Sequence, residues 1–363
     1  TGLIEKGREN LLTYSNDFSN AVWIKSSTSV TSGQSGYDGS SDAWLLERTG
    51  ASAYLQQTNS DSGVLCYSVY LKKGTYNWAY VRVQDSAGYR GVYFDLENAT
   101  TGLIDSGIID YNIEAIGTNG WYRCSIVLNS TIVRVFVYPS ASNNGVFLAG
   151  TGDIYIQDAQ LEVGLAATDY IESGATTGKA GLLEDEPRFD YSGGATCPSL
   201  LLEPSRTNLV TQSEYFEDSD WTNKVDITFD FGYLAPDGTN SAYKITSSGA
   251  NAHLASNFQT SIVSGVHKSI WAKTTSGTGK VSLLNHNGDT NALFDITNEW
   301  QRFDISHASP NFFYAVDFRA SGATLSEVLI WGAQAETGSY PTSYIPNHSG
   351  GSVTRGKDEC TGA

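Results

Sequence analysis

The sequence predicts an all-β protein made of two antiparallel β-sandwiches of jelly-roll type, related by internal duplication. Three observations carry this expectation. Apolar and polar residues alternate in short runs, the pattern of half-buried strands. Clusters of Gly, Asn, Asp and Ser punctuate those runs, and no long amphipathic helix or heptad repeat appears between them. Finally, a set of sequence blocks recurs once, in the same order, along the chain.

The alternation is clearest in three places. In residues 76–83, Ala79, Val81 and Val83 fall on one face and Tyr76, Trp78, Tyr80 and Arg82 on the other. In residues 133–138, Val133, Val135 and Val137 oppose Arg134, Phe136 and Tyr138. Residues 312–319 set Phe312, Tyr314, Val316 and Phe318 against Phe313, Ala315, Asp317 and Arg319.

The repeat begins with Arg8-Glu9-Asn10-Leu11-Leu12, which recurs as Arg206-Thr207-Asn208-Leu209-Val210 at an offset of 198, holding through Trp23/Trp221. Asp38-Gly39 recurs as Asp237-Gly238, and Ser68 to Lys72 as Ser269 to Lys273 at an offset of 201. Trp121-Tyr122-Arg123 recurs as Trp300-Gln301-Arg302, where the offset has fallen to 179. The block Ala159 to Gly164 matches Ala333 to Gly338 at an offset of 174, continued by Thr168/Thr342, Tyr170/Tyr344 and Ile171/Ile345. The second copy therefore lacks 22 residues in its middle. Residues 1–173 read as the first sandwich, 174–203 as an ordered connector, 204–349 as the shorter second sandwich and 350–363 as a polar, frayed tail. The recurring Trp23/Trp221, Trp121/Trp300 and Tyr170/Tyr344 are expected in cores, and Glu162/Glu336 and Asp38/Asp237 in structural roles.

Composition narrows the function classes. The 363 residues suggest about two domains. A formal net charge of −17 gives a surface that repels phosphates, so neither nucleic acid nor an anionic membrane is an expected partner. There is no Met, and the chain reads as a segment or processed piece of something longer. Of the four cysteines, Cys66, Cys124, Cys197 and Cys360, none forms a CxxC pair. Buried thiols and disulfides are both open, with Cys197–Cys360 the pair to test first.

Each copy opens with an N-L-x-x-x-S-x-x-F-x-x-x-x-W-like stretch (Asn10 to Trp23, Asn208 to Trp221) and closes with an A-Q-x-E-x-G…T-x-Y-I segment. Between the copies, Pro187-Arg188-Phe189-Asp190-Tyr191 leads into Leu200 to Leu209. The chain ends with Gly338-Ser339-Tyr340-Pro341-Thr342-Ser343-Tyr344-Ile345-Pro346 and Ser352-Val353-Thr354-Arg355. Together these resemble the carbohydrate-binding-module-like, jelly-roll domains of bacteriophage tail fibres and related virion proteins. The resemblance implies a non-catalytic virion structural or adhesion protein, located on a virion or otherwise outside the cell. It would recognise surface glycan and contact other virion subunits or copies of itself, a trimer being one form. Similar domains occur in secreted bacterial polysaccharide-degrading enzymes, so a carbohydrate-binding module pair is the alternative, and a purely architectural subunit a third reading.

Sugars present apolar C–H faces rimmed by hydroxyls, so a site for them offers aromatic platforms and a few planar polar groups. The non-core face of copy one supplies both. Tyr76, Trp78, Tyr80 and Arg82 lie on one strand, Tyr93 and Asp95 on the next, and Arg134, Phe136 and Tyr138 on a later one. Copy two carries Lys280, Ser282, Leu284 and His286 instead, so copy one is expected to recognise and copy two to build. The same aromatic face also suits a subunit contact. Catalytic signals are weak. None of the five His forms HExxH, no G-x-S-x-G elbow is present, and Gly277-Thr278-Gly279-Lys280 reads as a turn rather than a phosphate loop. No catalytic residue, metal site or cofactor is expected, although such sandwiches accommodate a structural calcium.

Overall fold

In the computed structural model, the residues described are 7–146, 150–181, 188–190, 199–256, 265–286, 293–307 and 313–358, and every regular element among them is a β-strand. The chain divides into two compact units, one within Gly7–Leu183 and one within Glu184–Ala363. Among the described residues, no helix is long and apolar enough to cross a membrane. Cys197 and Cys360 lie outside the described residues; Cys66 and Cys124 are buried free thiols.

The first unit contains β1 (Arg8–Asn10), β2 (Ile24–Ser26), β3 (Thr28–Gln34), β4 (Ala43–Arg48), β5 (Tyr54–Thr58), β6 (Ser62–Lys73) and β7 (Trp78–Asp85). These are followed by β8 (Gly88–Asp95), β9 (Thr100–Ile104), β10 (Asp110–Ile116), β11 (Trp121–Ser140), β12 (Gly152–Val163) and β13 (Gly178–Ala180). One layer runs β3-β4-β12-β6-β11-β10 and the other β2-β5-β11-β7-β8-β9, all antiparallel.

The 20-residue β11 belongs to both layers. Its first half pairs with β6 and β10, its second with β7 and β5, and the register breaks between Ile132 and Arg134. A bulge of this kind bends a strand and re-aims the side chains beyond it. Ile132 takes the core position and Val133 is displaced to 38% exposure, so Val133 does not share the inward face of Val135 and Val137 as the alternation suggested. Between the layers, Ala79, Val81 and Val83 of β7 pack with Val92 and Phe94 of β8 and with Val135 and Val137, all fully buried.

The second unit repeats this plan. It contains β14 (Arg188–Asp190), β15 (Ser199–Leu201), β16 (Arg206–Asn208), β17 (Asn223–Val225), β18 (Ile227–Tyr233), β19 (Ala242–Ser247) and β20 (His253–Ser256). Next come β21 (Val266–Lys273), β22 (Gly279–Leu284), β23 (Leu293–Ile296), β24 (Gln301–His307), β25 (Phe313–Asp317), β26 (Glu327–Thr337) and β27 (Val353–Arg355). Its layers are β18-β19-β26-β21-β24 and β17-β20-β25-β22-β23. Strand for strand these match β3-β4-β12-β6-β11 and β2-β5-β11-β7-β8, with β24 and β25 sharing the part played by β11 alone. No counterpart of β9 or β10 occurs among the described residues, which places the 22-residue difference between β23 and β24.

The matched sequence blocks form one buried polar clasp per unit. Asn10 Nδ2 donates to the carbonyls of Ala159 (3.0 Å) and Ile171 (2.9 Å), and its Oδ1 accepts from the amides of Leu12 and Leu161 (both 3.2 Å). Asn208 repeats this with the carbonyls of Ala333 and Ile345 and the amides of Val210 and Ala335. Gln160 accepts from the Ile171 amide and donates to Glu162, which also holds the Thr168 amide; Gln334, Ile345, Glu336 and Thr342 do the same in the second unit. Trp23 and Trp221 are buried, each donating its indole N–H to the carbonyl nine residues earlier. Trp121 is buried, but Trp300 is only half-buried, its indole N–H bonded to the Leu234 carbonyl. Tyr170 and Tyr344 are half-buried, with their hydroxyls bonded to Ser15 and Glu214 respectively.

The tail is not frayed where it was expected to be. Val353–Arg355 pairs with Arg206–Asn208, as Gly178–Ala180 pairs with Arg8–Asn10 in the first unit. Arg355 bonds Glu203 at 2.9 Å, and Asp358 accepts from the Glu203 amide. Each unit thus extends one short strand beyond its T-x-Y-I segment, into the stretches first read as connector and tail.

Candidate functional site

The outer face of the β5-β11-β7-β8 layer gathers most of the residues singled out from the sequence. Register sets them in rows across neighbouring strands. Tyr138, Tyr80 and Tyr93 form one row, Gln56, Phe136, Arg82 and Gly91 the next, and Thr58, Arg134, Gln84 and Tyr89 a third. Side chains two apart on a strand share a face, so these rows stack into one surface. Gly91 is required in its row: a Cβ there would lie 2.4 Å from the Val81 carbonyl oxygen and 2.8 Å from the Tyr80 ring.

The rings pack on one another. Tyr80 stacks on Tyr93 at 4.1 Å between centroids, Tyr54 meets Phe136 edge-on at 5.5 Å, and Tyr89 meets Phe136 edge-on at 5.9 Å. The Arg82 guanidinium lies 3.9 Å from the Tyr89 ring centroid and donates through Nη1 to the Tyr138 hydroxyl at 3.1 Å. Arg134 donates through Nη1 to Gln84 Oε1 at 2.8 Å. Burial pushes the Tyr93 hydroxyl up to about 12, and it raises Tyr80 and Tyr138 too, against the opposing pull of Arg82. These phenols are neutral donors or acceptors at any physiological pH.

A cavity of about 450 Å³ opens on this face. Ser52, Tyr54, Gln56, Arg82, Tyr89, Arg134, Phe136 and Tyr138 line it. Four of these, Arg82, Arg134, Phe136 and Tyr138, are on the face inferred from alternation. The other four were not. Tyr89 was within reach, because it shares the face of Gly91 and Tyr93 on the same strand. It is 48% exposed and forms an accessible wall.

The remaining sequence candidates sit elsewhere. Tyr76 precedes β7 and packs half-buried against the main core, its ring close to Gly150 and Gly152. The chain bends between it and Trp78, so the parity of β7 does not extend back to it. Asp95 is buried and caps the following turn, accepting from the amides of Glu97 and Asn98 and from Asn98 Nδ2. Tyr80 and Tyr93 are not among the lining residues; like Phe136 and Tyr138, which are, they are almost fully buried, and Tyr80 is bonded to Asp105. Trp78 packs at the edge of the same aromatic cluster, its ring against the position of Gly102.

In the second unit the equivalent layer is differently built. Its register breaks between Leu254 and Ala255 and between Ser282 and Leu284, the latter with φ +67°. Ser282 and Leu284 are fully buried, Lys280 pairs with Asp295, and Tyr314 has His253 and His286 as ring neighbours. Among the described residues, no group of three or more His, Cys, Asp or Glu side chains is placed to hold a metal ion.

No family model matches the chain, and no curated protein matches it. Several solved structures match the chain at low similarity. The N-terminal CBM22-1-CBM22-2 tandem domain from Paenibacillus barcinonensis Xyn10C is 12% identical, with a TM-score of 0.29 over 93% of this chain and 99% of that one. An exo-beta-agarase is 13% identical, with a TM-score of 0.28 over 44% of this chain and 25% of that one. The M60 catalytic domain with the CBM51-1 and CBM51-2 domains from Clostridium perfringens ZmpB is 7% identical, with a TM-score of 0.24 over 89% of this chain and 38% of that one. At these values the likeness carries no argument about ligand, and the functional reading rests on the cavity itself.

Proposed function

We propose that the first unit is a saccharide-binding module and that the second is its structural partner. The observation that carries this is the 450 Å³ cavity, which combines the exposed ring of Tyr89 and the half-buried ring of Tyr54 with a floor of buried Phe136 and Tyr138 and the planar polar groups of Gln56, Arg82 and Arg134. Pyranose rings stack their C–H faces on aromatic walls, and their hydroxyls bond guanidinium and amide groups in fixed directions. The lining contains no carboxylate and no histidine, so it lacks the carboxyl pair that most glycoside hydrolysis uses. That supports capture without turnover. The virion setting rests on the sequence resemblance alone; the cavity serves equally as a module of a polysaccharide-degrading enzyme.

Titration of the intact chain with a panel of neutral and acidic oligosaccharides, by calorimetry and tyrosine fluorescence, tests the reading. Tyr89→Ala and Tyr54→Ala are each expected to weaken binding roughly tenfold, the worth of one stacking platform, with little change in melting temperature for the exposed Tyr89 and a measurable drop for Tyr54, which packs on Phe136. Binding that is indifferent to both substitutions overturns the site. A shift in sedimentation in place of a change in sugar affinity would assign the face to subunit contact instead.

A further inference from the structure

We infer that the cavity selects an acidic saccharide, and that Arg82 and Arg134 together receive a uronic-acid carboxylate. This rests on the saccharide-binding reading and goes further by naming the ligand's charge. Two cations line one cavity, and neither forms an ion pair with any described Asp or Glu. Four other arginines do: Arg90 with Asp85, Arg319 with Asp317, Arg355 with Glu203, and Arg206 at 3.7 Å from Glu336, whereas Arg123 and Arg302, which also make none, bond Ser68, Ser269 and the Thr342 carbonyl away from the cavity. Nor are the nearby carboxylates available. Asp105 is taken by the Tyr80 hydroxyl and the Gly91 amide, and Asp85 by Arg90, Ser130 and the amides of its own turn.

Geometry favours shared recognition. Phe136 pairs with Arg82 across β11 and β7, so Arg134 is the diagonal neighbour of Arg82, about 7–8 Å away along the sheet. Each guanidinium makes one hydrogen bond to the described residues, through Nη1 to a neutral acceptor, and none through Nη2. A guanidinium carries five N–H donors in a planar fork that fits a carboxylate. Two such forks beside an aromatic wall match a sugar ring bearing a C6 carboxylate. With a net charge of −17, the surface as a whole repels polyanions, so affinity for an acidic sugar has to arise locally, at a site of this kind.

The test compares oligogalacturonate, oligomannuronate and oligoglucuronate with their neutral methyl esters and with a sulfated galactan, on the full chain. At least one uronate is expected to bind tenfold or more tightly than its ester, with affinity falling as salt rises from 50 to 500 mM. Arg134→Gln and Arg82→Gln should each cost roughly 10- to 100-fold toward the acid, the usual worth of hydrogen bonds to a charged group, and little toward the ester. If Arg82→Gln disturbs folding, Arg134→Gln, on the more open row, decides. Equal binding of acid and ester, with Tyr89→Ala still damaging, overturns the charge assignment and leaves saccharide binding standing. Preference for the sulfated galactan over every uronate overturns the carboxylate. If no saccharide binds the wild-type chain, both readings fall.

Discussion

Asn10→Ala is expected to destabilise the first unit by about 4 kcal/mol, at roughly 1 kcal/mol for each of the four buried backbone groups that lose their partner. The groups are the carbonyls of Ala159 and Ile171 and the amides of Leu12 and Leu161. All four are remote from solvent, and alanine offers neither a replacement bond nor room for water. For a unit of this size the loss corresponds to roughly 8–16 °C in melting temperature. Asn208→Ala should do the same to the second unit, because it meets the equivalent groups. Calorimetry of the two variants is expected to show one transition moving in each case, a different one. Asn10→Asp should be at least as damaging as alanine near neutral pH, because a buried carboxylate oxygen would then face the Ala159 and Ile171 carbonyls in place of the amide donor. A melting temperature within 2 °C of wild type for Asn10→Ala would remove the clasp from the account of stability.

The same clasp explains which parts of the fold were legible in the sequence. Asn10, Gln160, Glu162, Thr168 and Ile171 stand at fixed spacings because their bonds close one ring of contacts around the chain ends, and the ring recurs with Asn208, Gln334, Glu336, Thr342 and Ile345. Polar residues held at fixed positions by buried hydrogen bonds stand out as identities, so the duplication could be read directly. The closing strand Val353–Arg355 could not. It has three positions, with a single apolar residue, Val353, too few for a period to show. What orders it is pairing with Arg206–Asn208, a contact 147 residues away in sequence.

The site was legible where long strands alternate and illegible where the pattern is inverted. On β7 and the second half of β11 the inward residues are aliphatic, so the outward Arg82, Arg134, Phe136 and Tyr138 follow by parity. On β5 the sign is reversed. Gln57 is buried and bonds both the amide and the carbonyl of Thr13, while Tyr54 and Gln56 face the cavity. A polar residue inward and a tyrosine outward give no hydrophobic period to read. Tyr76 and Asp95 fail for a different reason. Both sit at strand ends, where a bend or a turn replaces the alternation.

Asp158→Asn is expected to remove most of a pH dependence in the stability of the first unit. Asp158 occupies the bulge of β12 between Gln157 and Ala159, with φ +48°, and is buried; its carboxylate accepts from the Tyr37 hydroxyl at 2.8 Å. Burial pushes its carboxyl up to about 7, aided by the neighbouring charges of Asp42 and Asp38 and opposed by hydrogen bonds from Tyr37 and Tyr170. The folded chain therefore holds this proton more tightly than the unfolded one. The resulting stability is complete below pH ~3.8 and is lost as pH rises through about 7, a difference of roughly 4 kcal/mol. Glu162 and Asp110 are also raised by burial and add to the same slope, whereas Asp38 is held low by Ser40 and acts only in stronger acid. Asparagine mimics the protonated carboxyl and tolerates the left-handed backbone. In the second unit the equivalent position is Gly332, at φ +67°, and Glu214 takes up the Tyr344 hydroxyl instead. Melting curves at pH 4.5 and pH 7.5 should thus differ by several degrees for the first transition of wild type and by much less in Asp158→Asn. The variant should be the more stable protein at the higher pH. An unchanged slope in the variant would mean that Asp158 is ionised throughout, its charge held by Tyr37 and Tyr170.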